Sequence, residues 1–559
     1  MILTSNGRPR LIGGRLLLST QAASTIPDVP DEPDIPDIPP SGALSLTLQD
    51  FYVGNANGIN IVQRKAGTEN DANGGHADVD VAYTYTGEAP LVQARVVDKT
   101  NAASVIKDWT TLTSGAASGG IGSGVLPGVP AGGKYLLQIR DGSQPNNSAT
   151  RSNGVNAWGV GVNIMAWGQS NMLGTMTAGV STDIVPGTGL SEWNYIRSGD
   201  VMISTFTTDG WMEPETFASV GRFITLRTVA KALETKHGKK IPVGLVLWAI
   251  NNQSIQSFLP GGTVSNRVMF TNSGAADGAC GFSSPRHVWS GDLEIVMGHQ
   301  GEANNTNTPT VYRNYEIQFM DMLVGFFAAK GRTHQTLAFM PAVLGVFSSG
   351  VTSVEYLRQA VLDFQQHAEA NGWEHVRAGW TTLDCLGPPD NTLHFQGEDK
   401  HKSVRRLIQA VLNKLDPVRA PFNSSGPRLV GTATRAGDVV TLPIAGDKTL
   451  AAKNVGAVTG WYANTAADFS GTDLAVSNVT PVAGAVQITV AGAPSTFYVK
   501  HCGGLVGTQA SANSDITNLL YEPLEYPFFD NGAGGNLFSG TDVRNGLPLF
   551  PTPTAITVT

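Results

Sequence analysis

Between residues 160 and 416, short apolar runs alternate with longer segments of helical period, and no other feature constrains the chain as much. Runs of strand length occur at 162–167, 241–248, 293–298, 336–341 and 376–381. Helix-period segments lie between or after them. Val220, Phe223, Leu226, Val229 and Leu233 make one stripe, 310–329 is strongly apolar, and Val354, Leu357, Val361, Phe364 and Ala368 make another. Val404, Leu407, Ile408, Val411, Leu412 and Leu415 complete the series at i, i+3, i+4, i+7 spacing. Strands that are apolar throughout must be covered on both faces, so the alternation predicts a parallel sheet between two helical layers. Such a sheet places its site at the carboxyl ends of its strands.

On either side the period changes to two. Val79, Val81, Tyr83 and Tyr85 alternate with polar or small residues, as do Val92, Ala94 and Val96, and 134–140 reads as a further strand. Residues 43–158 are therefore expected to form a β-sandwich ahead of the 159–417 α/β domain. Alternation returns at Val440, Leu442 and Ile444 and at Val486, Ile488 and Val490, which predicts a C-terminal β-domain and irregular tail over 418–559. At the other end, 25–41 reads TIPDVPDEPDIPDIPPS. Proline fixes φ and the like charges repel, so a linker over 25–42 is expected to be extended. It sets residues 1–24 apart, either as an attachment segment or as a disordered tail.

Charge and cysteine usage exclude several classes. The net charge is −8 and only 15% of the 559 residues are charged. No Lys/Arg cluster offers the counterion release that nucleic-acid binding needs. No apolar run approaches the ~20 residues of a membrane helix, so neither nucleic acid nor membrane insertion is expected. Cys280, Cys385 and Cys502 are too dispersed for a disulfide framework or a zinc site and read as buried thiols of a protein folded in a reducing cytoplasm.

Three polar constellations follow the apolar strands. The first is Gly168-Gln169-Ser170-Asn171-Met172, where a serine leaves a tight strand-to-helix turn. The second is His299-Gln300-Gly301-Glu302; His299 and Glu302 lack a third ligand at suitable spacing, so no metal or other cofactor is expected. The third contains Asp384, Asp390, Asn391 and His394 just before the last helix. Serine, then an acid, then histidine could supply a nucleophile, an orienting carboxylate and a base.

Together these segments resemble the SGNH hydrolase superfamily, and within it the sialate O-acetylesterase-like carbohydrate esterases found in bacteriophage tail fibres and tailspikes. The resemblance covers about 160–416. Trp109 and the Val129–Tyr135 stretch also resemble the N-terminal module of such phage esterases. It implies a three-layer, flavodoxin-like SGNH domain with a five-stranded parallel sheet, flanked by β-sandwich domains. It implies a serine esterase that removes O-acetyl groups from a bacterial surface polysaccharide, with catalytic Ser170, Asp390 and His394 and an oxyanion hole of Ser170, Asn251 and Gln300. The family spacing of acid and histidine is Asp-x-x-His, yet Asn391 stands three residues before His394. Asp390, Asn391 and Asp384 therefore all stay open as partners of the histidine. The second oxyanion segment carries Asn251 and Asn252 where a glycine pair is usual. By the same resemblance the protein is a virion component made in the host cytoplasm and acting at the bacterial surface. It would join other tail proteins through its N-terminal segment, as a homotrimer. A receptor-binding virion protein that uses the SGNH domain only as a glycan platform is the alternative.

Overall fold

The structure is a computed structural model describing residues 10–12, 15–17, 44–50, 60–176, 196–200, 220–262, 292–344, 354–374, 379–385, 394–395, 398–418, 426–445, 449–502, 518–522, 546–552 and 554–559. In the N-terminal segment, β1 (Arg10–Ile12) and β2 (Arg15–Leu17) pair antiparallel with each other as a two-stranded sheet. The 25–42 linker lies outside the described residues.

The expected sandwich strands are present. β3 (Ser45–Gln49), β5 (His76–Thr86), β9 (Ile121–Pro130) and β8 (Thr113–Ser118) form one antiparallel sheet in the order β3-β5-β9-β8. β6 (Val92–Asp98), β7 (Val105–Thr111), β10 (Gly132–Asp141) and β11 (Arg151–Asn153) belong to a second. Val79, Val81 and Tyr83 of the first sheet and Ala94, Val96, Leu137 and Ile139 of the second share one core, as period-two burial requires.

The second sheet does not end with the sandwich. β12 (Trp158–Gly168) is buried along all of its 11 residues. Its first half pairs antiparallel with β10 and parallel with β4 (Asn60–Gln63). Its second half pairs in parallel with β14 (Val243–Ala249) on one side and β15 (Ile295–His299) on the other. One strand thus serves two sheets, and the expected boundary at 158/159 falls at its start rather than in a linker.

The parallel ladder runs β13 (Ile196–Asp200), β14, β12, β15, β16 (Ala338–Val343) and β17 (Trp380–Thr381). Among the described residues it has six strands where five were expected. The additional one, Ile-Arg-Ser-Gly-Asp, lies at the edge and carries no apolar run that would mark it. Side chains of β12 alternate between two cores. Val162, Ile164 and Ala166 face α2 (Val220–His237) and α6 (Glu398–Leu415) beyond the short α1 (Ser170–Met176). Met165 and Trp167 face α3 (Ile255–Phe258), α4 (Pro309–Phe327) and α5 (Val354–Ala370), with Trp167 stacked on Phe319 at 4.0 Å. Helices therefore cover both faces of the ladder.

A buried ion pair ties the sandwich to this unit. Arg64, just after β4, donates from Nε and Nη2 to the two oxygens of Glu294, each at 2.8 Å, and Gln63 Nε2 adds a third donor at 3.0 Å. Burial alone would raise the Glu294 carboxyl, but the Arg64 charge and hydrogen bonds outweigh it and hold the group at about 2. A folded-state pKa below the ordinary carboxylate value contributes stability at pH above about 4.5 that is lost as pH falls towards about 2. Glu294→Gln leaves a buried guanidinium short of its counter-charge and is expected to cost ~3–5 kcal/mol. A lowered urea midpoint at pH 7, with the difference from wild type shrinking in acid, checks this.

In the C-terminal region two four-stranded antiparallel sheets share a core that includes Val440, Leu442, Val486, Ile488, Phe497 and Val499. Cys385 and Cys502 are buried thiols, and Cys280 lies outside the described residues. Among the described residues no helix is long and apolar enough to cross a membrane.

Candidate active site

The strand order reverses around β12, whose neighbours β14 and β15 come from later, separate crossovers, so a crevice opens beyond its carboxyl end. Gly168 sits there at φ +150°, and a Cβ on it would lie 2.0 Å from the His299 carbonyl oxygen. Only glycine lets the first and second constellations close on each other. Gln169 N–H then donates to that same carbonyl at 3.3 Å, and the Gly168 carbonyl accepts from Ile250 N–H at 3.0 Å. Ser170 follows as the first residue of α1.

Ser170, Asn171, Leu173, Gly174, Asn251, His394, Phe395 and Lys400 line a cavity of about 260 Å³. Residues from three separate strand ends are thus brought together: the expected nucleophile, one expected oxyanion residue and the expected base. Asn251 is exposed at a turn whose next residue, Asn252, takes φ +57°. Asparagine tolerates that left-handed conformation better than most residues, which is how the turn forms without the usual glycine.

Gln300 is engaged elsewhere. Its Nε2 donates to the Gln253 carbonyl at 2.7 Å, its Oε1 accepts from Gly301 N–H at 2.7 Å, and it is not among the residues lining the cavity. It ties the segment after Asn251 to the turn after β15. Asn304 reinforces the tie by accepting from Ile255 N–H at 2.9 Å and donating to Gln256 Oε1 at 2.7 Å. The expected amide donor to the oxyanion is therefore a positioning residue in this structure.

Sequence reasoning missed the role of Glu302. Its buried carboxylate accepts from Gln169 Nε2 and, at 2.9 Å, from Asn171 Nδ2, while His299 Nδ1 lies 3.0 Å away. Asn171 Oδ1 in turn accepts from Phe395 N–H at 3.2 Å, next to His394. Glu302 and Asn171 thereby link all three constellations behind Ser170. Burial pushes the Glu302 carboxyl up, but the His299 ring and the hydrogen bond from Asn171 outweigh it and hold the group below the ordinary value. The signal was present in the residues flanking Ser170, which are amides on both sides. Among the described residues no group of three or more His, Cys, Asp or Glu side chains could hold a metal ion.

Asp390 and Asn391 lie outside the described residues. Asp384, the third candidate partner of His394, is committed to Arg406. Both of its oxygens accept from that guanidinium, and Oδ2 also accepts from Tyr521 O–H at 3.0 Å. Burial would raise Asp384, and the Arg406 charge holds it below the ordinary carboxylate value instead. Its work is to dock the C-terminal segment on the end of β17.

No protein-family model and no curated protein matches the chain. Among solved structures, a carbohydrate acetylesterase from Xanthomonas citri aligns with a TM-score of 0.54 at 17% identity, over 91% of this chain and 99% of that one. A carbohydrate acetylesterase from Sinorhizobium meliloti aligns with a TM-score of 0.23 at 11% identity, over 47% of this chain and 100% of that one. A family two carbohydrate esterase from Clostridium thermocellum aligns at 0.27 and 12%, over 61% and 90%. The first likeness extends over nearly the whole of both chains: this is an α/β fold, rich in β-sheet, whose structural neighbours include carbohydrate acetylesterases.

Proposed function

We propose that the protein is a serine esterase that removes O-acetyl groups from a bacterial surface polysaccharide. The observation that carries this reading is the convergence of Ser170, Asn251 and His394 on one cavity at the carboxyl end of the parallel ladder. In the proposed reaction Ser170 Oγ attacks the acetyl carbonyl carbon while His394 takes the hydroxyl proton. The tetrahedral oxyanion accepts from the backbone N–H groups of Ser170 and Asn251. Losing one such donor typically costs about 3 kcal/mol of barrier. As the C–O bond to the sugar breaks, His394 returns the proton to the leaving sugar oxygen. Water, deprotonated by the same ring, then attacks the acetyl carbon; the bond to Ser170 Oγ breaks, His394 returns the proton to Oγ, and acetate leaves. A cavity of about 260 Å³ suits an acetyl group and the edge of one sugar ring.

We assign Asp390 as the carboxylate that orients the His394 ring, with a one-residue bulge in the loop where the usual spacing would use Asn391. Asp390→Asn is expected to lower kcat by about 10²-fold or more, because an amide stabilises the imidazolium less than a carboxylate. Asn391→Ala should cost little. The reverse pattern would make Asn391 the partner of a Ser-His pair. The overall reading is tested by acetate release from an acetylated bacterial polysaccharide, with the chemically deacetylated polymer as control. Retention of the glycan with no acetate released would favour the glycan-platform alternative.

The proposed setting is a phage tail fibre or tailspike, with residues 1–24 as the attachment segment to other tail proteins and the proline–aspartate run as a stiff leash. The proposed assembly is a homotrimer. Sedimentation at micromolar concentration tests this, and a monomer would refute the assembly without touching the esterase.

A further inference from the structure

The solvent face of the second sandwich sheet carries a cluster that the esterase chemistry does not use. Between β6 and β7 the register shifts from Ala94↔Thr110 to Val96↔Lys107, so Asp108 and Trp109 together oppose Arg95. A bulge of this kind re-aims a side chain, and here the Trp109 ring gathers three guanidinium groups. Arg140 on β10, Arg95 on β6 and Arg151 on β11 lie 4.2, 4.7 and 5.6 Å from its centroid. Arg140 pairs in register with Arg151 on one side and Gln93 on the other, and Arg95 with Gln138.

The hydrogen-bonding balance of this face is one-sided. Arg95 Nε donates to Gln138 Oε1 and Arg140 Nε donates to Gln93 Oε1, which engages the carbonyl oxygen of each glutamine. Both glutamine NH2 groups and the Nη edge of Arg95 have no acceptor among the described residues. Arg140 Nη1 and Arg151 Nη2 reach only the Pro145 carbonyl, each at 3.5 Å. Asp108, the neighbouring carboxylate, accepts its hydrogen bond from Trp109 N–H, and among the described residues none of the three arginines makes an ion pair. Burial and mutual repulsion push the Arg95 and Arg140 guanidinium groups down from their ordinary value, outweighing the attraction of nearby Asp108. Three cations are therefore held together by an aromatic ring in a chain of net charge −8, surrounded by donors and short of acceptors.

We propose that this face is a second carbohydrate site, separate from the esterase cavity, that binds a carboxylate-bearing polysaccharide. Guanidinium forks match carboxylates in pairs, and the glutamine amides are suited to ring hydroxyls. The site spans four strands, which fits an extended chain. Nucleic acid fits less well, because the Trp109 ring is already covered by guanidinium groups and is not open for base stacking. The choice of a glycan rests on the esterase reading, but binding here needs no catalysis.

The test is calorimetric titration of the full-length protein with hexameric oligogalacturonate at fixed salt. The same titration is run with its methyl-esterified form, a dextran sulfate of similar length and a single-stranded oligonucleotide. The wild type should bind oligogalacturonate, and the esterified form should bind at least about tenfold more weakly. Arg140→Gln and Arg151→Gln should each weaken binding about tenfold, the usual effect of losing a charged hydrogen bond. Arg151 is exposed, so its variant reports on the site even if the Arg140 variant misfolds. All variants should hydrolyse an aryl acetate like wild type, and Ser170→Ala should bind oligogalacturonate unchanged. A wild type that ignores oligogalacturonate, or arginine variants that bind it equally well, would overturn the site. So would equal or tighter binding of the sulfate polymer or the oligonucleotide. Failure of the esterase reading would appear separately, as absence of acetate release with oligogalacturonate binding intact.

Discussion

Ser170→Ala is expected to lower turnover of an aryl acetate by about 10³-fold or more while leaving the melting temperature near that of wild type. The size of the effect follows from the proposed chemistry, since no other residue lining the cavity carries a hydroxyl or a thiol. Asn171 is bound to Glu302 and Phe395, Asn251 has no nucleophilic atom, and His394 is taken up as the base. The small effect on stability follows from the position of Ser170 at the start of α1, half-buried and facing a cavity, so that replacing its hydroxyl with hydrogen opens no void in a packed core. Turnover within a few-fold of wild type would remove Ser170 from the mechanism. Loss of turnover together with a large drop in melting temperature would mean that the substitution acted through the fold.

The second large effect is expected at Glu302, which touches no substrate in the proposed reaction. Glu302→Ala removes the acceptor shared by Gln169 and Asn171 and the anion beside His299. Breaking a buried charged network from one side typically costs ~3–5 kcal/mol, because the remaining partners stay buried with their polar groups unmet. Activity should also fall, by about 10²-fold, since a displacement near 1 Å of a catalytic group can cost that much. Glu302→Gln separates the two consequences. It keeps an acceptor for one amide while losing the charge beside His299, so stability should recover more than turnover. Melting curves and kcat measured on both variants check this. If Glu302→Ala melts like wild type and turns over normally, the clamp has no role in holding Ser170.

Gln300 shows how far reading from the sequence could go at this site. Its position after the third apolar strand correctly put it at the end of β15, near the nucleophile turn. Whether its amide points into the crevice or across to Gln253 depends on the path of the 251–256 segment, which is 47 residues distant and is itself held by Asn304. That Ser170 and His394 line one cavity follows from positions at the margins of strongly periodic elements.

The same division holds for the whole protein. Periodicity is local, so the apolar strands of the α/β region, the helices between them and the alternating strands on both flanks were legible from apolar spacing alone. Pairing is not local. That β12 continues from the sandwich sheet into the parallel ladder, that Ile196–Asp200 adds an edge strand, and that a bulge in β7 brings Trp109 onto three arginines all depend on register between distant segments. So does the meeting of Glu302 with Gln169 and Asn171. Hydrophobic spacing decided which segments became strands and helices, but only tertiary packing decided which buried polar groups found each other, because a hydrogen bond or ion pair forms only where the folded backbone brings its two ends within about 3 Å.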